Sequence, residues 1–249
     1  RGCTGVTVSD KGLVFTNHHC GFDAIQSVSA VDHDYLRDGF VSQSFSEELP
    51  IEGLTVSYLS SIRDVTKEIL AQLKKPKNEI ERLSQIQKIC QQIEVTELKK
   101  YKGDYKQAEV RPYYANNKYY LLTYDVFHDV RLVFAPPSSV GKFGGDTDNW
   151  MWPRHTGDFS VFRVYADKDN QPSAYSKDNV PYRPKYFATV STEGYQQGDY
   201  AMTIGFPGST SRYIPSFAIE NRMKDWNEPR IEVRGIKQAI WSKAMNADQ

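Results

Sequence analysis

Two imidazoles and a thiol stand on consecutive residues near the start of the chain, in Thr16-Asn17-His18-His19-Cys20, and a second cysteine, Cys3, lies seventeen residues upstream. Residues of these types serve three ends: a histidine general base, a zinc site, or imidazoles that simply pack in a core. Adjacent side chains of an extended segment point to opposite faces, so His18 and His19 are badly placed to share one metal. No second Cys or His pair follows at ligand spacing. A general base is the sharper reading and structural histidines are the bland one. A base needs a carboxylate to orient it, and residues 157 to 164, Gly-Asp-Phe-Ser-Val-Phe-Arg-Val, put Asp158 immediately ahead of an apolar strand pattern. An ordinary turn aspartate is the competing reading of Asp158. Asp146 and Asp148 sit in a glycine-rich loop with no strand after it, and Asp125 and Asp129 lie inside aromatic strand signals.

Between Gly144 and Gly157 the chain carries Asn149, Trp150, Trp152 and Arg154 close to Asp158. Such a set suits a cleft that grips a short polar ligand against an apolar wall, and a packed aromatic turn beside Pro153 is the alternative. The nucleophile is missing. In chymotrypsin-like proteases the active serine sits in a Gly-Asn/Asp-Ser-Gly turn, whose glycines let backbone N–H groups converge on the oxyanion, and no such turn occurs here. Gly208-Ser209-Thr210 lacks the following glycine, which makes Ser209 structural. Cys90 falls on the apolar face of an expected helix and reads as a core thiol.

The elements that must position these residues follow from periodicity. Residues 4 to 16 alternate β-formers around Ser-Asp-Lys-Gly, a two-strand hairpin signature. Ile80, Leu83, Ile86, Cys90 and Ile93 recur at spacings of three and four, giving two helices at roughly 62 to 73 and 78 to 101, split by Lys75-Pro76-Lys77. Strand patterns occupy 107 to 114, 118 to 126, 130 to 135, 159 to 166, 186 to 192 and 199 to 206, and helical character runs from Arg222 to Ala244, interrupted by Trp226 and Pro229. The expectation is a mainly β fold: a barrel carrying a helical excursion over about 62 to 101, followed by the start of a helical region.

Composition narrows the function classes. Thirty-one Lys and Arg balance thirty-one Asp and Glu, so bulk charge gives no case for nucleic-acid binding. With a mean hydropathy of -0.59 and no apolar run beyond four residues, a membrane-spanning helix is not expected. The chain opens at Arg1-Gly2-Cys3 against a strand pattern and stops at Ala247-Asp248-Gln249 within a helical one. It reads as a piece of a longer polypeptide, with any leader lying upstream.

The histidine motif resembles that of chymotrypsin-like proteases, where the catalytic histidine ends a hairpin in a Thr-Ala-Ala-His-Cys context and its Cys is bridged to one about sixteen residues upstream. The resemblance implies a Cys3–Cys20 disulfide and gives Asp158 the place of the orienting aspartate. More specifically, GCTGVTVSDKGLVFTNHHCG, HDYLRDGF, GGDTDNWMWPRHTGDFSVFRVYAD and GDYAMTIGFPGSTSRY resemble the bacterial dipeptidyl-peptidase 7 and dipeptidyl-peptidase 11 family. These are serine exopeptidases with a chymotrypsin-like double β-barrel and an inserted helical domain. The resemblance implies that residues 1 to 212 are part of the peptidase domain and 213 to 249 the start of the helical domain. It makes His19 the base and Asp158 its acid, gives Asn149, Trp150 and Arg154 a place in the pocket for the substrate's N-terminal end, and puts the serine in a part of the chain beyond this sequence. It implies no cofactor or metal, peptide substrates with a free N-terminus, a homodimer of the full-length protein, and the periplasm or cell envelope of a Gram-negative bacterium. The rival class is a peptide-binding module that keeps the barrel and has lost its serine. A metal-dependent hydrolase is a third option.

Overall fold

A computed structural model describes residues 2–143, 156–202 and 213–247. They fall into two compact units, residues 1–204 and 205–249. In the first unit, the expected hairpin is β1 (Val6–Thr7) and β2 (Leu13–Thr16), antiparallel with Val6 opposite Phe15. It joins a seven-stranded sheet ordered β1-β2-β9-β8-β3, with β9 at Ser160–Ala166, β8 at Asp129–Ala135 and β3 at Phe40–Val41. Two short strands, β4 (Leu49–Pro50) and β10 (Val180–Pro181), pair with β8 and β9. A separate three-stranded sheet is ordered β5-β7-β6, from Val56–Asp64, Lys118–Phe127 and Lys106–Tyr113.

The first unit is thus mainly β, but the described strands form open sheets and close no barrel. Other boundaries also differ from expectation. Residues 62 to 64, read as helix, are the end of β5, paired through Asp64 and Tyr120. The helices begin later, α3 at Thr66–Gln72 and α4 at Glu79–Leu98. Pairing with β7 outweighs the helical tendency of the intervening residues. Their apolar stripe, Val65, Ile69, Ile86, Ile89 and Ile93, packs on Val110, Tyr119 and Leu121 of the small sheet, with half-buried Cys90 against the same cluster. Burial raises the Cys90 thiol above its ordinary value, which keeps it protonated and inert. Residues 186 to 192 and 199 to 202 form no strand. Their alternation finds no neighbouring strand among the described residues, and Ala188 donates a single backbone bond to Thr7.

The second unit contains α6 (Ser216–Asn221), a π-helical turn at Arg222–Asn227 that includes Trp226, and α7 (Glu228–Met245). Pro229 lies in the first turn of α7 directly after the π-helical turn, and Asn227 before it keeps helical angles, so the helix runs on through the expected interruption with a local change of winding.

One helix in the first unit carries no sequence-based expectation: α1 at His18–Ser27, directly after β2, followed by a single turn, α2, at Tyr35–Asp38. Gly21 lets α1 approach β9, because a Cβ there would stand 2.8 Å from Ser160 Oγ and 3.0 Å from the Phe162 ring. Ile25 and Ala24 then join Val130, Leu132 and Phe162 in the main core. His18 is 1% exposed and edge-on to Phe22, and among the described residues neither ring nitrogen has a hydrogen-bond partner. Its ring rests against α5 (Ser138–Gly141), where a Cβ on Gly141 would fall 2.6 Å from the imidazole. His18 therefore acts as an apolar wedge. Burial holds its pKa below the ordinary 6.5, outweighing the Asp158 carboxylate, which raises it, and His19 pushes in the same direction as burial. Cys3 and Cys20 form a disulfide with Cα atoms 6.1 Å apart, which ties the first turn of α1 to the strand start. Closing such a loop is worth about 3 kcal/mol in the chain-entropy model.

Two outcomes test this packing. Thiol counting in denaturant without reductant should find one free thiol per chain, Cys90; three would overturn the disulfide. A base whose folded pKa lies below its unfolded one binds more protons when unfolded. Its contribution to stability is therefore intact above pH 6.5 and is lost as pH falls below that value. Denaturant titrations should show His18 contributing a slope of up to about 1.4 kcal/mol per pH unit below that point. His18→Leu should remove that slope, while Gly141→Ala should cost about 1–3 kcal/mol at every pH by overpacking the ring.

Candidate active site

The site is assembled by one strand pairing. β2 runs antiparallel to β9 with Leu13 opposite Arg163, Val14 opposite Phe162, Phe15 opposite Val161 and Thr16 opposite Ser160. The residues just beyond this ladder, Asn17 to His19 on one side and Asp158 on the other, must therefore meet. They do so closely: His19 Nδ1 lies 2.7 Å from Asp158 Oδ2, and the His19 backbone N–H donates to Asp158 Oδ1 at 3.0 Å. The Asp158 segment is pinned from the other side, where Gly157 N–H donates to Val140 O at 3.0 Å and Thr156 Oγ1 to Phe143 O at 2.9 Å.

Helical backbone sends the two histidines apart. His18, the first residue of α1, turns into the core, and His19, the second, leaves its side chain 70% exposed. The assumption of an extended Asn17–Cys20 segment is thereby corrected, although the two imidazoles still diverge. Because an ionised Asp158 offers only acceptors, the proton shared between the His19 ring and the carboxylate is assigned to Nδ1, which leaves the lone pair on Nε2. This arrangement can accept a proton at Nε2 and stabilise the resulting imidazolium through Asp158. The backbone bond to Oδ1 adds a second hold: an ionised carboxylate at a helix N-terminus takes up one of the four N–H groups that the helix leaves unpaired.

Of the other carboxylates weighed from the sequence, Asp146 and Asp148 lie outside the described residues and the remaining two are engaged elsewhere. Asp129 is fully buried and bonded bidentately to Arg131, and Asp125 pairs with Lys106. Cys20 has no thiolate to offer a metal, since its sulfur is in the disulfide. Among the described residues no group of three or more His, Cys, Asp or Glu is placed to hold a metal ion, and no serine or cysteine hydrogen-bonds the His19 ring. Asn149, Trp150, Arg154 and Ser209 lie outside the described residues.

Sequence reasoning assigned nothing to Asn17, whose side chain also reaches Asp158. Its one visible signal was an asparagine immediately ahead of a helix.

Known proteins resemble this chain along its whole length. Over its whole length the chain is 65% identical to dipeptidyl-peptidase 7 of Porphyromonas gingivalis, covering 34% of that protein. It is 50% identical over 247 residues to an Asp/Glu-specific dipeptidyl-peptidase of Flavobacterium psychrophilum, covering 99% of this chain and 34% of that one. The crystal structure of Porphyromonas endodontalis DPP11 in complex with the dipeptide Arg-Glu matches with a TM-score of 0.79 at 47% identity, covering 99% of this chain and 36% of that chain. The chain thus spans about a third of the length of the curated relatives it matches. The peptidase S46 family model matches residues 1–249. With sequence and fold agreeing from end to end, the chain belongs to the peptidase S46 family.

Proposed function

We propose that this chain is the His- and Asp-bearing part of a serine dipeptidyl aminopeptidase, which releases dipeptides from the free N-terminus of peptides. The observation that carries this reading is the 2.7 Å contact between His19 Nδ1 and Asp158 Oδ2 in a family whose relatives are named dipeptidyl-peptidases. His19 is the general base: its outward Nε2 takes the proton of a serine hydroxyl and later delivers it to the leaving amine. Asp158 keeps the imidazole in the required tautomer and stabilises the imidazolium. The serine and its oxyanion donors belong to a part of the protein outside these 249 residues. Asn149, Trp150 and Arg154 contribute to the pocket for the substrate's α-amino end.

In the same reading, the seven-stranded sheet is part of a chymotrypsin-like double barrel completed by strands from elsewhere in the protein. Residues 1–212 belong to the peptidase domain, with 213–249 as the entry into the helical domain that closes the cleft to longer N-terminal extensions. The disulfide suits an oxidising compartment such as the periplasm. No described helix is long and apolar enough to cross a membrane. The full-length protein acts as a homodimer.

In the full-length protein His19→Ala should lower kcat by up to about six orders of magnitude, as loss of a triad histidine does. His18→Ala should act mainly on stability; a deep loss from His18→Ala beside a nearly silent His19→Ala would reverse the assignment. The 249-residue chain alone should hydrolyse no dipeptidyl-coumarin substrate under conditions in which the full-length protein does. Turnover by the chain that a serine reagent abolishes would mean a nucleophile within it, with Ser209 the first to examine.

A further inference from the structure

Asn17 is the N-cap residue of α1, with extended backbone angles of φ -71° and ψ 149°, yet its side chain makes no cap bond. An asparagine in this place ordinarily turns its side-chain oxygen back onto the N–H of the second or third helical residue. Here the amide faces the other way. Asn17 Nδ2 lies 3.2 Å from the Asp158 main-chain oxygen and 3.2 Å from Asp158 Oδ2. Both neighbours are acceptors, so only the NH2 end of the amide can face them, and its two hydrogens serve one each. The cap left vacant is filled from across the chain: the N–H of His19, the second helical residue, donates to Asp158 Oδ1. Asp158 caps the helix, and the residue in the capping position grips Asp158.

We propose that Asn17 is a positioning residue for the His19–Asp158 pair. Its amide holds the carboxylate at the rotation in which Oδ1 meets the His19 backbone and Oδ2 meets the His19 ring. A carboxylate torsion is otherwise soft, because terminal rotations of this kind have broad minima. Asp158 is 29% exposed on its side chain, so water would take over any donor that left. The grip extends to the main chain. Asn17 O accepts from Ser160 Oγ at 3.1 Å while Asn17 Nδ2 donates to Asp158 O, so each segment both gives and receives a hydrogen bond beyond the end of the β2–β9 ladder. A shift of the Asp158 backbone would therefore strain Asn17 before it reached His19.

The significance of this contact rests on the proposed catalytic role of His19 and Asp158, but the contact can be tested without it. Asn17→Asp keeps the shape and, by cap preference, the ability to start a helix, while it removes both donors and sets a second carboxylate against Asp158. Asn17→Ala removes donor and cap together. In the chain labelled with ring-15N histidine, the His19 Nδ1-bound proton gives a downfield resonance, identified by its loss in His19→Gln. Its exchange with solvent should speed up by at least about tenfold in both Asn17 variants, the scale of one lost hydrogen bond to a charged group. The melting temperature of Asn17→Asp should match or exceed that of Asn17→Ala. An unchanged exchange rate in Asn17→Asp would overturn the proposal. Should that variant not fold, an unchanged rate in Asn17→Ala would do so. In the full-length protein both variants should lower kcat with KM little altered. Full activity in His19→Ala would instead count against the catalytic reading and leave the exchange result standing.

Discussion

Everything at the site depends on the register between β2 and β9. The four pairs from Leu13–Arg163 to Thr16–Ser160 join segments nearly a hundred and fifty residues apart in the chain, and they decide which residues emerge together at the end of the ladder. A slip of one residue would exchange the faces of β2, sending the buried side chain of Val14 toward solvent and the exposed ring of Phe15 inward. Core packing thus enforces the register, and the register delivers Asp158 to His19. The long connection between them does not weaken the pairing. Much of it folds over its own apolar cluster, Val65 to Leu121, and closure entropy grows only slowly with loop length.

Two treatments of charge coexist on β9. Near its end, Asp158 and His19 remain in contact with solvent, where a proton can come and go. Farther along, charges are buried and fully engaged. Arg131 bonds Asp129 bidentately and stacks 3.6 Å over the Tyr165 ring, Tyr165 Oη donates to Glu48, and Arg163 donates to the other Glu48 oxygen. Burial and the Glu48 carboxylate together raise the Tyr165 hydroxyl well above its ordinary value, so it stays a donor. Removing one member of such a network would leave a buried charge unpaired, a cost of about 3–5 kcal/mol. The network ties β4, β8 and β9 to one another.

Much of the pair was legible because its determinants are local: a hairpin that ends in histidines and an aspartate that begins an apolar strand. The helix α1 was not. Its buried positions, His18, Gly21, Ala24 and Ile25, recur at helical spacing, but two of the four are an imidazole and a glycine, and the contact with β9 and the cap from Asp158 that hold the helix are not near in sequence. The end of β5 was misread for a related reason: Ile62 to Asp64 are exposed, and only pairing with β7 keeps them extended. Residues 186 to 192 show the converse: with one backbone bond, from Ala188 to Thr7, and no strand ladder among the described residues, a strand pattern remains irregular chain. Asn17 was invisible because its habitual partner is the helix it precedes, whereas its actual partner is Asp158.

The close approach of Gly141 to the His18 ring has an evolutionary consequence. The two positions share a single volume, and any added carbon at 141 must be taken from 18. Drift at either site is therefore conditional: a larger residue at 141 becomes accessible only to a lineage that has already given up the imidazole at 18. Such a lineage could not change either residue freely thereafter. The pair is expected to pass between lineages as one character, linking the turn before the tryptophan-rich segment to the histidine motif.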